Sequence, residues 1–321
     1  LAKQCNVSLR NRNTFKNKNP VPQGTGFFAL YLYPLNFEMD YNLNGYIIRN
    51  KHLGIQINNR GLNYGDGVFD SLKFANNRIN FWEDHYFRLM ASMRIVRMDI
   101  PMDFSPEYLE DQIRKTLETN GLANKTARVK LLVVRKAGGF YTPDTNAVDF
   151  LITTEELTSS SFQLNDQGLN IDLYKDFYKN SGMLSTIKTT SAQLYSVASI
   201  FRKENSYDEC LLLNERKEVV EAISSNIFMV RGDDLITPPL ESGCLKGIMR
   251  KKIIEFAPQL KLNVRQEAFS PFALQKADEV WLSNSIKGIQ WVGQYRKKTY
   301  GQEKALEMLK KININIALNL G

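Results

Sequence analysis

Histidine is almost missing from this sequence: among 321 residues there are two, His52 and His85. Cysteine is nearly as scarce, with three scattered residues, Cys5, Cys210 and Cys244. These shortages speak against a disulfide framework, a zinc cluster or a histidine-rich metal site, so no metal is expected. No stretch approaches the roughly 20 apolar residues that a membrane-crossing helix needs, and no membrane partner is expected. Several signatures are absent as well: a Gly-x-x-x-x-Gly-Lys-Ser/Thr phosphate loop, a Gly-x-Gly-x-x-Gly turn opening a helix, a Gly-x-Ser-x-Gly elbow and His-Glu-x-x-His. Hydride transfer, zinc hydrolysis and serine hydrolysis lose weight accordingly. The expectation is a soluble protein of a reducing compartment, read as cytoplasmic.

What is present is ordinary for a folded chain: 43% hydrophobic and 24% charged residues, which argues against wholesale disorder. At roughly 150 residues per domain, the length suggests two domains. The net charge of +8 raises the question of a polyanionic partner. Several of the basic residues crowd between Lys3 and Lys18, and the rest are diluted among acids. There is neither an aromatic RNA-binding signature nor a basic stripe suited to a nucleic-acid backbone. A basic tail with a mixed surface is the better reading, and no nucleic-acid partner is expected; an anionic small ligand fits the charge without being shown by it.

Residues 1–38 differ from the remainder, with a polar stretch from Arg10 to Asn19, then Pro20, Pro22, Gly24 and Gly26, then a short apolar run from Phe27 to Phe37. Pro34 and Asn36 interrupt that run, and no small-residue cleavage site follows, so a signal peptide is rejected. The segment is expected to be a mobile extension or not part of the native start. From Met39 the pattern tightens. Tyr46–Ile48 reads as a strand, and 67–74 alternates with period two as a half-buried strand. Asn76-Asn77 should turn it into a second strand from Ile79 to Trp82. A helix is expected over 83–98, with Phe87, Met90, Met93 and Val96 on its apolar face, and another from Pro106 to about Asn120. Further strands are expected at 128–135, 148–154, 171–174, 186–190, 209–213, 219–230 and 279–283. Helices are expected over 191–205, 248–256 and 302–318. The Ser/Thr-rich stretch near 155–165 marks a boundary, giving a small domain over 39–155, a linker over 156–165 and a large domain over 166–321. Both halves mix α and β with many antiparallel signals.

Several short segments could carry chemistry. Tyr64-Gly-Asp-Gly-Val-Phe69 sets glycines around a tyrosine before a strand, which by itself is a tight turn. His85-x-x-Arg88 puts two side chains on one helical face, as solvated faces often do. Lys188 sits among β-branched residues, where partial burial would depress its pKa and make it a nucleophile; it could equally be one more lysine without a role. Glu221 enters an apolar strand and must find a partner or face solvent at an edge. Gly243-Cys-Leu245-Lys-Gly247-Ile248-Met249-Arg250 opens a helix whose free N–H groups would hold a phosphate, although glycine before a helix is common.

Together and in this order, these segments resemble the class IV aminotransferase family, the fold-type IV pyridoxal-phosphate enzymes. That family includes branched-chain aminotransferases, D-amino-acid aminotransferases and 4-amino-4-deoxychorismate lyases. The resemblance runs from about Met39 to about Val292. It also rests on Ile187-Lys188-Thr, Asp208-Glu-Cys-Leu-Leu-Leu-Asn214, Asn226-x-Phe228, Thr237-Pro-Pro239, Ala277-Asp-Glu-Val and Ser283-Asn-Ser285. It implies a two-domain α/β (mixed α+β) fold, with pyridoxal 5'-phosphate in the cleft between a small N-terminal and a larger C-terminal domain, and a homodimer. By resemblance, Lys188 would carry the Schiff base and move the proton between Cα and C4′. Glu221 would pair with the ring nitrogen. Arg88, the backbone N–H groups of Ile248 and Met249, and the Ser285 hydroxyl would hold the phosphate. Leu245 would pack on one ring face, and Tyr64, Phe69 and Arg128 would lie on the substrate side.

The chain departs from the family pattern in places. Met249 stands where threonine is usual and Asp70 where glutamate is usual. The tyrosine often found four or five residues after the lysine is replaced by Ala192 and Gln193, with Tyr195 later, so the contact to the cofactor's phenolic oxygen is left unassigned. The arginine-x-histidine pair of D-amino-acid aminotransferases has no match near Gly138. Lys130-x-x-x-x-Arg135-x-x-Gly138-Gly139-x-Tyr141 is similar to the lyase loop, while Arg128 sits about where branched-chain enzymes place an arginine. The expectation is an aminotransferase moving an amino group between a branched-chain-like amino acid and a 2-oxo acid. The alternative is 4-amino-4-deoxychorismate lyase chemistry; behind both stand a silent binding relative of the fold and, last, a polyanion binder.

Overall fold

The computed structural model describes residues 39–49 and 56–318. The expected extension over 1–38 and His52 lie outside the described residues. The first part of the chain contributes β1 (Tyr41–Leu43), β2 (Tyr46–Ile48), α1 (Arg60–Tyr64), β3 (Gly67–Ala75), β4 (Arg78–Ile79), α2 (Trp82–Ile95), α3 (Pro106–Thr119), β5 (Ala127–Arg135) and β6 (Val148–Glu156). Among the described residues its strands make a six-stranded sheet in the order β2-β1-β6-β5-β3-β4, antiparallel throughout. Asn76 and Asn77 both adopt left-handed φ values, 52° and 58°, the turn geometry that matches strand twist. The returning strand is shorter than expected, because Trp82 already belongs to α2.

Strand parity decides what this sheet does. Val68, Leu72 and Phe74 of β3, with Val129, Leu131 and Val133 of β5, point into a core shared with α2 and α3. The other face of β3 carries Phe69, Ser71 and Lys73. Because both faces are covered, β3 is almost wholly buried rather than half-buried. On α2 the expected apolar face is displaced: His85, Leu89, Met90 and Met93 are buried, while Phe87 is 64% exposed. A spacing of three drifts around a helix of 3.6 residues per turn, so the stripe that stays against the sheet follows three-and-four steps. α3 begins as its sequence predicts, with Ser105 accepting from the Tyr108 N–H and Pro106 in the first turn.

The second part supplies β7 (Leu169–Leu173), α4 (Gln193–Glu204), β8 (Glu209–Leu213), β9 (Val219–Ala222), β10 (Asn226–Arg231), β11 (Asp234–Thr237), α5 (Ile248–Phe256), β12 (Asn263–Gln266), β13 (Glu279–Asn284), β14 (Gly288–Tyr295), β15 (Lys298–Thr299) and α6 (Glu303–Ala317). Its sheet runs β12-β11-β10-β13-β14-β7-β8-β9, with β15 off β14, and mixes antiparallel pairs with parallel ones at β11/β12, β14/β7 and β7/β8. Alternation again divides the side chains. Phe228 and Val230 pack with α5 and α6, and Ile227 and Met229 pack with Ile171, Leu211 and Leu282 on the opposite face.

Two expected strands are corrected. Residues 219–230 are not one strand: the chain breaks at Ile223–Ser225, and β9 and β10 take different neighbours. Residues 186–190 are no ladder strand either; a 3-10 turn over Met183–Thr186 leads into one isolated bridge, Thr189 to Val68. Fold-level pairing overrides β-propensity in both places. The Ser/Thr-rich connection is docked rather than loose. Phe162 is buried, its N–H donating to Asn313 Oδ1 at 3.0 Å and its carbonyl accepting from Asn313 Nδ2 at 2.8 Å, while Lys73 Nζ donates to the Ser161 carbonyl at 3.1 Å.

Leu109, fully buried on α3 against the first sheet, provides a stability check. Leu109→Ala is expected to lower unfolding stability by about 2–5 kcal/mol in urea titration.

Candidate active site

The site begins with two neighbouring residues of β3 that face opposite ways. Asp70, on the helix side, is buried and receives Arg88 Nε on Oδ2 at 3.0 Å, Arg88 Nη2 on Oδ1 at 2.5 Å and, on the same Oδ1, His85 Nδ1 at 2.8 Å. Burial alone would raise the pKa of Asp70; the charge and hydrogen bonds of Arg88 and His85 outweigh it and hold the carboxyl well below the usual carboxylate range. The fork fixes Arg88, whose Nη1 also donates to the Lys246 carbonyl at 3.1 Å. One turn earlier on α2, Asp84 pairs with Lys251 and with Lys252 Nζ, the latter at 2.9 Å. These contacts hold α2 against the start of α5.

Phe69 faces the other way. Its N–H donates to the Lys188 carbonyl at 2.9 Å, and the Thr190 N–H donates to the Gly67 carbonyl at 2.9 Å. The Lys188 segment is thereby docked along β3, with Lys188 Nζ 4.7 Å from the Phe69 ring centre. The approach is close: Gly65 has φ of 63°, and a Cβ there would meet Ser191 Cα at 3.1 Å. Burial is the main cause of a Lys188 pKa lowered to about 8; Arg88 and Arg128 add to the lowering, and Asp70 and Glu221 oppose it. An amine with that pKa is unprotonated in a useful fraction near neutrality.

The same cavity is lined by Glu221 on β9. Rather than facing solvent at a strand edge, it is buried and accepts from three donors. Oε1 accepts from Lys179 Nζ at 2.6 Å and from the Tyr195 hydroxyl at 2.8 Å, and Oε2 accepts from the Leu245 N–H at 2.7 Å. Residues 245–247 then enter α5, whose first turn has no side-chain cap, so the N–H groups of Ile248 and Met249 point outward from the helix start. Gly247 is required there, since a Cβ would lie 2.0 Å from Asn226 Oδ1. Ser283 Oγ, on the cavity wall, is buried without a hydrogen-bond partner among the described residues.

These groups line one cavity of about 980 Å³. The structure brings together on its wall the ten residues to which the resemblance assigns a role at the site: Lys188, Arg88 and Glu221; Leu245, Ile248, Met249 and Ser285; and Tyr64, Phe69 and Arg128. His85 lies behind Arg88, off the wall. Their environments differ. Tyr64 ends α1, with the Arg60 guanidinium 4.8 Å from its ring centre and the Tyr141 ring, tilted, 5.7 Å away. Arg128 is nearly half exposed and lies 3.7 Å from Glu155. Lys130 stands 4.8 Å over Phe69. Arg135 spends its donors on Asp66, Asn146 and the carbonyls of Val96 and Arg97, so it holds the fold rather than a ligand.

Sequence reasoning missed Lys179, the Asp70–His85–Arg88 fork and the Tyr195–Glu221 bond. Asp70 and Tyr195 were seen only as departures from a pattern, and Lys179, in Tyr178-Lys179-Asn180, gives no local signal at all.

The model of the family "Amino-transferase class IV" matches residues 67–295, well over half of the chain. This chain belongs to the class IV aminotransferase family. The branched-chain-amino-acid aminotransferase of Salmonella typhimurium is 26% identical over 79% of this chain and 86% of its own. The aminodeoxychorismate lyase of Bacillus subtilis is 25% identical over 85% of this chain and 94% of its own. Among solved structures, the branched-chain amino acid aminotransferase from Thermobaculum terrenum in PLP-form superposes with a TM-score of 0.74 at 21% identity, covering 86% of this chain and 93% of that one. The mixed α/β architecture is therefore the fold of that family, and the chain is an enzyme of it. No helix among the described residues is long and apolar enough to cross a membrane.

For this class IV aminotransferase chain the depressed Lys188 pKa sets a direct expectation. As pH falls below about 8 the protonated, non-nucleophilic form of the amine predominates; above it the free amine does. Borohydride trapping of a small aldehyde on the protein should rise with pH through a midpoint near 8, instead of near the ordinary lysine value of 10.5. Lys188→Ala should remove that component in peptide mapping.

Proposed function

We propose that this enzyme uses pyridoxal 5'-phosphate to move an amino group between an amino acid and a 2-oxo acid, with branched-chain-like amino acids as substrates. The residues present fit the group. A nucleophilic lysine, a buried carboxylate with an acceptor position left over, an uncapped helix start beside a fixed arginine and an orphaned Ser283 hydroxyl share one cavity. When bound, the coenzyme supplies an aldehyde that an amine can capture and a ring that accepts the electrons of a breaking Cα–H bond.

The chain's own residues have separable tasks. Arg88 and the N–H groups of Ile248 and Met249, with the Ser285 hydroxyl, bind the phosphate; Met249 offers its backbone alone. Asp70 and His85 orient Arg88. Glu221 accepts from the ring nitrogen, and Leu245 covers one ring face. Lys188 Nζ would anchor the coenzyme and, once displaced by the substrate's amine, would be free to take the proton from the substrate Cα. Tyr64, Phe69 and Arg128 bound the substrate. The observation that carries this reading is the meeting of a lysine with a pKa near 8 and a buried, donor-rich carboxylate on one wall.

A second reading, elimination of pyruvate from aminodeoxychorismate, is favoured by Lys130 over Phe69 and by Tyr141 at the cavity wall. The two sheets are taken as the small and large domains. The exposed Phe177, Tyr178, Met183 and Leu184 beside the cavity favour a homodimer, and the chain is taken to work in the cytoplasm on small molecules, without nucleic acid or membrane.

Single-turnover spectroscopy of the yellow holoenzyme tests the assignment. Branched-chain amino acids are expected to convert it to the pyridoxamine form; release of pyruvate and an aromatic amine from aminodeoxychorismate would replace this reading with the lyase. Lys188→Ala is expected to abolish turnover. Asp70→Asn is expected to weaken coenzyme binding by about ten-fold or more in fluorescence titration, because Arg88 loses its charge-assisted fork.

A further inference from the structure

The carboxylate of Glu221 is shared more widely than a single task requires. A carboxylate offers about four acceptor positions. Lys179 and Tyr195 take both on Oε1 and the Leu245 N–H takes one on Oε2, leaving one open. The Lys179 and Glu221 side chains are only 6% and 4% exposed. Lys179 is held from behind, its N–H donating to the Leu213 carbonyl at 2.8 Å beside an isolated bridge to Asn214, and its Nζ lies 5.5 Å from the Tyr195 ring centre. The other ionisable groups that feel Glu221 are Tyr195, Cys244 and Lys188. Burial first, and the Glu221 charge next, raise the Tyr195 hydroxyl; burial raises the Cys244 thiol to about 11, so both stay neutral. Lys179 is thus the cation in hydrogen-bond contact with Glu221 among the described residues.

Resting on the coenzyme reading above, we infer that Lys179 is a positioning residue that shares the Glu221 carboxylate with the coenzyme's ring nitrogen and so weakens that nitrogen's hold on its proton. A cation 2.6 Å from Oε1 draws on the same negative charge that would retain a ring N–H at Oε2. Two cations on one buried anion leave excess positive charge in a poorly screened setting, and the ring proton is the one that can leave. The site then provides a softer electron sink than a carboxylate without such a neighbour.

The test uses ¹⁵N-labelled pyridoxal phosphate bound to the full chain, with the ring-nitrogen shift followed against pH. In Lys179→Met and Lys179→Gln the nitrogen is expected to keep its proton to a pH about one to three units higher than in the wild type, a ten-fold or greater gain in proton affinity. Lys179→Arg, which keeps the charge, is expected to stay near the wild type, whereas a merely structural lysine would leave the midpoint unmoved. An unchanged or lowered midpoint in the neutral variants overturns the inference. Thermal melts of the apoproteins show which variants fold, and Lys179→Gln, which keeps a donor, decides alone if the methionine variant does not. Absence of pyridoxal phosphate binding to the wild type, or a signal indifferent to Glu221→Gln, would instead sink the coenzyme reading. A signal that responds to Glu221→Gln and not to Lys179 removes only the role of Lys179.

Discussion

The docking of residues 188–190 along β3 is the constraint on which the site rests. β4 pairs only with the far end of β3, at Phe74 and Ala75, which leaves the edge at Gly67–Phe69 free to accept the lysine segment. Two backbone hydrogen bonds and the bridge from Val68 to Thr189 place Lys188 over Phe69. The next residue along, Asp70, necessarily points to the opposite face, where it grips Arg88 and His85. A single strand therefore sets both the Lys188 amine and the Arg88 guanidinium, and the pleat sends them to opposite faces.

Charges buried so close to one another have to be compensated, because an unpaired buried ion costs several kcal/mol. Asp70 meets this with Arg88, His85 and the Ser71 N–H; Glu221 meets it with Lys179, Tyr195 and the Leu245 N–H. Neither carboxylate is left to choose its geometry. The donors are already oriented in the folded chain, which is the condition under which electrostatic stabilisation costs no rearrangement during reaction.

Both sides of the cavity combine regular elements with loop segments. The proposed coenzyme side comes from β9, the start of α5 and one face of α2, together with the irregular segments that carry Lys188, Leu245 and Ser285. The proposed substrate residues Tyr64, Phe69 and Arg128 sit on α1, β3 and β5, and beside them Arg60 donates to the carbonyls of Gly138 and Phe140, tethering the loop that carries Tyr141. Loops tolerate change better than packed elements do.

Much of this was legible in the chain itself. The alternation of 67–74, the helix start at Pro106, the Asn76-Asn77 turn and the glycine-led α5 are local signals, set by backbone sterics and side-chain period. The cavity residues were legible too, through short motifs that hold their spacing in sequence, and they converged on one wall. The break at 223–225, the docking of 186–190 and the true buried face of α2 were not, because each depends on which strand or core lies opposite. Sequence alone determined which side chains could do chemistry, since amine, carboxylate and guanidinium are properties of residue type. Only the tertiary structure decided their partners and proton affinities: Lys179 meets Glu221 across 42 intervening steps of chain, and burial and charge act through space, where order along the sequence carries no weight.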